Sequence, residues 1–259
     1  IHPEQLLETK DMGKAIKGVM TVVAIVILIV AFAAYYVLGN LDRLVEVAIE
    51  KVGPQVTGTP VMVSGVSIAL KEGRGEISGL TIGNPDGYKS DHALRIGRLA
   101  FALDTQTITA DPVRITEIAV SDTDLIAELG TAGLNLRALM NNMGSDGSEK
   151  AAESESTSSG PGLVIDRFDF TGAKMTLETP LKDYETAVPD VNLTGIGEKE
   201  GGATAAEAAE QILRPIIAAA IKAAEKEAGA QGLDGYKLGV TDRVKEEANK
   251  LKDKLKLGN

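Results

Sequence analysis

The chain contains no cysteine and no tryptophan, and its 259 residues include only two histidines, four phenylalanines and five tyrosines. Without cysteine there is no disulfide, no thiolate nucleophile and no thiolate metal site. His2 and His92 stand far apart in sequence and suit ordinary surface imidazoles; with them no Ser/His/acid set can be assembled. Positive charge is short as well: 27 Lys and Arg oppose 37 Asp and Glu, a net charge of −10. An acidic body repels phosphate backbones, and so few rings leave little to stack bases on, so no nucleic-acid partner is expected.

Ligand-binding signatures are equally sparse. The glycine-rich stretch GIGEKEGG at 195–202 lacks both the G-x-G-x-x-G spacing and a G-K-[ST] ending, and it sets Glu198 and Glu200 where a phosphate would be repelled. It reads as a loop leading into a helix. SDTD at 121–124 has neither the spacing of an EF-hand nor its terminal glutamate, and it reads as a tight turn between strands. No nucleophile elbow is present. A non-enzymatic role without metal or cofactor is expected.

What the chain does have is a charge-free run from Gly18 to Leu41. Its length exceeds the roughly 20 residues that a helix needs to cross hydrocarbon, so the sequence predicts a transmembrane helix over 18–40. Lys10, Lys14 and Lys17 precede it, and the excess of positive charge on that side predicts a cytoplasmic tail over 1–17. The rest of the chain would then lie in the periplasm of a bacterium, anchored by one pass in the inner membrane. Leu41, Leu44, Val45, Ala48, Ile49 and Val52 follow helical spacing, which predicts an amphipathic juxtamembrane helix over 41–53 that ends at Gly53-Pro54.

From residue 60 the texture changes to short β-branched runs separated by Gly and Asp. Val61, Val63, Val66, Ile68 and Leu70 form one; Ile77, Leu80 and Ile82 a second; Leu94, Ile96, Leu99, Phe101 and Leu103 a third. Two more follow at Val113 to Val120 and at Leu163 to Phe170. Most of these runs change parity once, as if one extra residue sat in mid-strand, and Gly65, Gly79 and Gly97 fall at three of the changes. Strongly bent, mainly antiparallel strands are predicted over 60–143 and 163–197. The segments VRITEIAVSDTDLIAEL from 113 and LVIDRFDFTGAKMTLET from 163 also align without a gap, matching Ile115 to Ile165, Val120 to Phe170 and Leu125 to Met175.

Between the two β regions, 144–162 is rich in Ser, Gly and acidic residues and predicts a flexible linker. Thr204 and Glu207 form a capping box that opens an apolar-striped helix over 203–228, in which Pro215 should produce a kink. Residues 238–257 predict a second, charged helix with Val244, Ala248, Leu251 and Leu255 on one side. The fold class expected is thus α+β: a membrane anchor, a groove-like bent sheet and C-terminal amphipathic helices.

Gly83-Asn84-Pro85 with Gly87-Tyr88, then Gly133 with Asn135 and Leu139, then Ile165-Asp166 with Phe168, occur in the order in which a glycine-asparagine-proline hairpin, an N-x-x-x-L element and an Ile-Asp strand occur in bacterial envelope proteins. On these residues, over roughly 18–195, the chain resembles the AsmA-like family. The resemblance implies a curled sheet with an apolar groove, membrane lipid as the partner, and a part in phospholipid transport or outer-membrane maintenance. The candidate lining residues are Val61, Val63, Ile96, Phe101, Ile115 and Phe170; for each, a closed core position is the open alternative. The chain is shorter than the family's bridge-like members, so assembly with copies of itself or with membrane-protein partners is one expectation. The other functional expectation is a structural accessory subunit that docks on a membrane-protein complex through its C-terminal helices.

Overall fold

The computed structural model describes residues 39–145, 160–199 and 201–233. The chain divides into two compact units; the first, Ile1–Leu44, is described only from Gly39, and the second is Val45–Asn259. The expected tail 1–17, nearly all of the expected span 18–40, nearly all of the linker and the charged helix 238–257 lie outside the described residues.

Helix α1 is Leu41–Thr57. It runs on through Gly53-Pro54 where the sequence predicts a stop, because Pro54 sits in the last turn and removes a single helical hydrogen bond. The Thr57 hydroxyl closes that turn by donating to the Gly53 carbonyl at 2.9 Å.

The strands are β1 Val61–Met62, β2 Gly65–Ala69, β3 Arg74–Ile82, β4 Leu94–Leu103, β5 Val113–Gly130, β6 Gly133–Leu134, β7 Leu163–Phe170, β8 Lys174–Glu178, β9 Tyr184–Ala187 and β10 Val191–Ile196. Helix α2, Asn135–Ser145, follows β6, and helix α3, Ala205–Ala230, follows β10. All ten strands belong to one sheet.

That sheet is mainly antiparallel, as expected, and is made mixed by one parallel junction, of β5 with β7 and β8. Strands β3, β4 and β5 are joined by connections that turn the chain back, and they pair antiparallel. The connection from β5 to β7 instead carries β6 and α2 and returns to the starting end of β5, so β7 pairs parallel to it, as β8 does further along. Residue n of β5 faces residue n + 50, with Ile115 against Ile165, Val120 against Phe170 and Leu125 against Met175. The echo at a fifty-residue interval is therefore the register of neighbouring strands.

Nine of the ten strands lie in six columns, and β6 makes a short hairpin with the end of β5. β1 and β2 share one register against β3, β7 and β8 share one against β5, and β10 and β9 share one against β7 and β8. Six columns at about 4.8 Å make a sheet roughly 24 Å wide. The parity change occurs at one level in all of them. Gly79 in β3 stands level with Gly97 in β4 and Asp122 in β5, and Gly172 lies level with Asp122. Gly79, Asp122 and Gly172 have φ of +62°, +55° and +67°. A left-handed residue shifts the alternation by one, so Ile77 and Leu80, three apart, face the same side. Because every column shifts together, the register is the same above and below the line. SDTD is accordingly no turn: β5 runs straight through it. An inserted residue occurs elsewhere, between Ala102 and Leu103, which pair with Glu117 and Ile115 and leave Thr116 extra.

The apolar face of the sheet is covered by α2 and α3, which pack on β5 to β10. Helix α3 begins with the expected capping box, both of whose reciprocal hydrogen bonds form. It buries Ile216, Ile217, Ala220 and Ala224 to 1% exposure or less, and the two isoleucines contribute about 1.5–3 kcal/mol each. Arg214 ties α3 to α2 by donating to the Met143 carbonyl at 2.8 Å.

Among the described residues no helix is long and apolar enough to cross a membrane. Helix α3 has the length, but Glu207, Glu210, Arg214, Lys222, Glu225, Lys226 and Glu227 interrupt it, and α1 carries Asp42, Arg43, Glu46, Glu50 and Lys51. This finding overturns the expected fold class of a chain with a transmembrane helix, and with it the placement of the protein as a single-pass inner-membrane protein with a periplasmic body.

Candidate functional site

Two features of the sheet stand out chemically: a polar knot at one end, and a half-buried stretch of apolar face on β2 to β5.

The knot is built on Asn135, the first residue of α2, which has no exposed surface. Its amide nitrogen donates to Asn84 Oδ1 at 2.7 Å and to the Ile126 carbonyl at 2.8 Å. Its oxygen accepts from the N–H of Glu128 at 2.9 Å and of Leu136 at 2.8 Å. Glu128 in turn accepts from the backbone of Lys89 and Ser90, both at 2.8 Å, and from the Ser90 hydroxyl at 2.6 Å. That same hydroxyl oxygen lies 2.7 Å from Glu178 at the end of β8. Burial pushes the Glu128 carboxyl up, but the hydrogen bonds from Ser90 and Lys89 and the Lys89 charge outweigh it and hold it below the usual glutamate value. Tyr88 is raised by burial and by the Glu128 charge.

Chemically, the knot is an anchor. Glu128 is an ionised carboxylate whose acceptor sites are filled by the loop it holds, which is a poor arrangement for a base or a nucleophile. It fastens the Gly83–Ala93 connection to the β5–α2 corner. The glycine-asparagine-proline hairpin and the N-x-x-x-L element, separate in sequence, thus meet through Asn84 and Asn135. His92, expected at the surface, is instead 4% exposed, with Nε2 at 3.2 Å from Asp124. Among the described residues no group of three His, Asp or Glu is placed to hold a metal ion.

The second feature lies below the line of left-handed residues. Val66, Ile77, Leu99 and Val120 form one rung across β2 to β5, and Ile68, Gly75, Phe101 and Ile118 form the next. Leu103 pairs with Ile115, which pairs with Ile165. The Phe101 ring occupies the space a side chain at Gly75 would need: its atoms come within 2.2 Å of where a Cβ would stand. The described helices make at most marginal contact with β2, β3 and β4. Val66, Ile68, Leu99, Phe101, Leu103 and Ile115 are half-buried, while Ile77, Ile118 and Val120 among them are buried.

The six candidate lining residues separate into two groups. Val61 at 7% exposure, Ile96 at 4% and Phe170 at 0% are core positions. Val61 is pressed against α1, since a side chain at Gly53 would collide with it. Val63, Phe101 and Ile115 are half-buried. Phe101 and Ile115 belong to the strip, while Val63 sits in the break between β1 and β2 with its N–H bonded to the Glu50 carboxylate at 3.2 Å. Val66, Ile68, Leu99 and Leu103 complete the strip without having been singled out. Alternation shows which side of a strand is apolar, and nothing in it shows how far each position is covered: Ile96 and Phe101 share β4 and differ.

The opposite face of the sheet is charged. Arg98 pairs with Glu76 at 2.8 Å, Arg114 with Asp166, and Arg167 with Glu117 and with Asp169 at 3.1 Å. These exposed pairs contribute little to stability but keep that face in water. Between α2 and α3 a niche of about 90 Å³ is lined by Arg137, Met140, Asn141 and Ile221. It is well below the roughly 300–1,000 Å³ of a small-molecule site.

No protein-family model matches the chain, and no curated protein is similar to it at a significant level.

Proposed function

We propose that this protein is a non-catalytic binding protein for extended apolar ligands, lipid acyl chains above all, which it holds along the half-covered strip of β2, β3 and β4. The observation that carries the proposal is the group of half-buried apolar side chains Val66, Ile68, Leu99 and Phe101, which lie on the same two rungs as the buried Ile77, Val120 and Ile118 and so border the core. A contiguous apolar surface of this kind on a folded chain marks a place where something apolar docks. An open strip, unlike an enclosed pocket, accepts a chain of variable length. About ten methylenes at roughly 0.8 kcal/mol each set an upper bound near −8 kcal/mol, a micromolar dissociation constant at best.

Phospholipid as the ligand, and a part in its transport or in outer-membrane maintenance, follow from the AsmA-like resemblance of the Asn84 and Asn135 motifs. The alternative of an accessory subunit docking through its C-terminal helices has less to draw on, because the apolar stripe of α3 faces the protein's own sheet. The test is purification in mild detergent followed by native mass spectrometry. Acyl-lipid adducts that disappear in Leu99→Asp support the proposal. A lipid-free wild-type protein that also takes up none from mixed micelles refutes it.

A further inference from the structure

The line of left-handed residues is also where the pairing of the sheet stops. Between β3 and β4 the paired residues skip from Ser78 with Arg98 to Leu80 with Ile96, and between β4 and β5 from Arg98 with Ser121 to Ile96 with Thr123. Between β5 and its parallel neighbours they skip from Val120 with Phe170 to Asp124 with Lys174. The two outer junctions break at the same level, from Met62 with Thr81 to Gly65 with Ser78, and from Phe170 with Val191 to Lys174 with Ala187. All five junctions are thus interrupted along one transverse line. Three of the six columns change strand there, so only β3, β4 and β5 carry the backbone across it. They cross at Gly79, Gly97 and Asp122; the first two lack a side chain, and Gly79 and Asp122 have a positive φ. In the outer columns single backbone bonds remain near the line, from Ser64 to the Ser78 carbonyl and from Val188 to the Ala173 carbonyl, both at 3.1 Å. Helix α3 holds one end: it packs on β7 and β10 below the line and on β8 and β9 above it. Over β2, β3 and β4 the described helices make at most marginal contact.

We infer that this line is a hinge built into the sheet. The half-sheet of β2, β7, β10 and the lower parts of β3, β4 and β5 swings against the half-sheet of β1, β8, β9 and their upper parts. The motion is largest over β1 to β4 and smallest where α3 straps β7 and β10 to β8 and β9. A continuous ladder stiffens a sheet because every bend must strain the hydrogen bonds that cross it; here no ladder pair lies on the line. A hinge needs a few residues that absorb a change in φ and ψ, and glycine does so at little steric cost. Asp122 is the stiffest of the three crossings, since its side chain closes backbone conformations that Gly79 and Gly97 keep open. The inference stands on the pairing and the backbone of the sheet and is independent of the lipid reading.

The test is amide relaxation dispersion on the full-length, isotope-labelled protein, which reads the microsecond-to-millisecond range of collective hinge motions. Exchange at Ser64, Gly79, Gly97 and Asp122 with one shared rate is expected, weaker at Gly172 beside α3, with flat profiles at Leu94 and Leu125 above the line and at Ile118 and Phe168 below it. Flat profiles at all four line residues, four unrelated rates, or equal exchange throughout β3 and β4 overturn the inference. Asp122→Gly then asks whether the crossings move together. The hinge expects exchange at least twofold faster at Gly79 and Ser64, two and three columns away from the substitution. A change confined to the neighbours of Asp122 contradicts it, because separate local motions would leave the distant columns unaffected.

Discussion

Asn135 fills both amide donors and both acceptor lone pairs inside the protein, with Asn84, Ile126, Glu128 and Leu136 as partners. Asn135→Leu keeps the volume but leaves buried donors and acceptors unpaired, each costing about 1–3 kcal/mol, so a loss of at least about 2 kcal/mol is expected in urea unfolding. Beside it, Glu128 is held below its ordinary value, so it stabilises the fold above the unfolded pKa of about 4.3, and that contribution is lost as pH falls through the lower folded value. Glu128→Gln should therefore be less stable than the wild type at pH 7, with the gap closing as pH falls below about 4. A constant gap at all pH would exclude the carboxylate as its source. Asp122 is a third case: at φ +55° it sits where glycine costs nothing, so Asp122→Gly should be neutral or stabilising and Asp122→Val should lose about 1–2 kcal/mol. Gly79 and Gly97 were visible in the sequence as breaks in alternation. Asp122 was not, because an aspartate beside Ser121 and Thr123 is also what a tight turn contains.

At the scale of elements, α3 is the piece that closes the core. Its capping box is exposed and local, and Thr204→Ala should cost about 1 kcal/mol; Ile216→Ala removes a side chain only 1% exposed and should cost about 2–5 kcal/mol, both measurable by thermal or urea unfolding. The cap and the stripe of this helix were legible because both signals are local. The five runs read from alternation were legible as strands, but β6, β9 and β10 were not singled out, α2 formed at the end of the 60–143 region expected to be strand, and the pairing was only half visible. The fifty-residue echo between 113–129 and 163–179 contained the register of β5 against β7 and β8, yet read as two hairpins it implied turns that do not exist. Direction depends on the length and route of the connection, which α2 and β6 determine, and no residue within β5 or β7 reports it. For the same reason Val61, Ile96 and Phe170 could not be told from Phe101 and Ile115: all five alternate alike, and alternation does not report how far a position on the apolar side is covered.

At the scale of the sheet, a charged face and an apolar face lie on opposite sides of six columns, and among the described residues α2 and α3 pack on the apolar face over β5 to β10. A fully closed sheet would be a stable but inert body, and a fully open one would aggregate. The intermediate arrangement suits reversible contact with a flexible apolar chain. The measurement that tests this most directly is equilibrium titration of the full-length protein with a fluorescent long-chain fatty acid, in parallel with Leu99→Asp on the strip and Thr194→Asp on the charged face, each checked for a cooperative unfolding transition. Saturable binding by the wild type and by Thr194→Asp, weakened at least tenfold in Leu99→Asp, is the result expected. Absence of saturable binding, or equal binding by all three, would contradict the assignment of the strip as a lipid site.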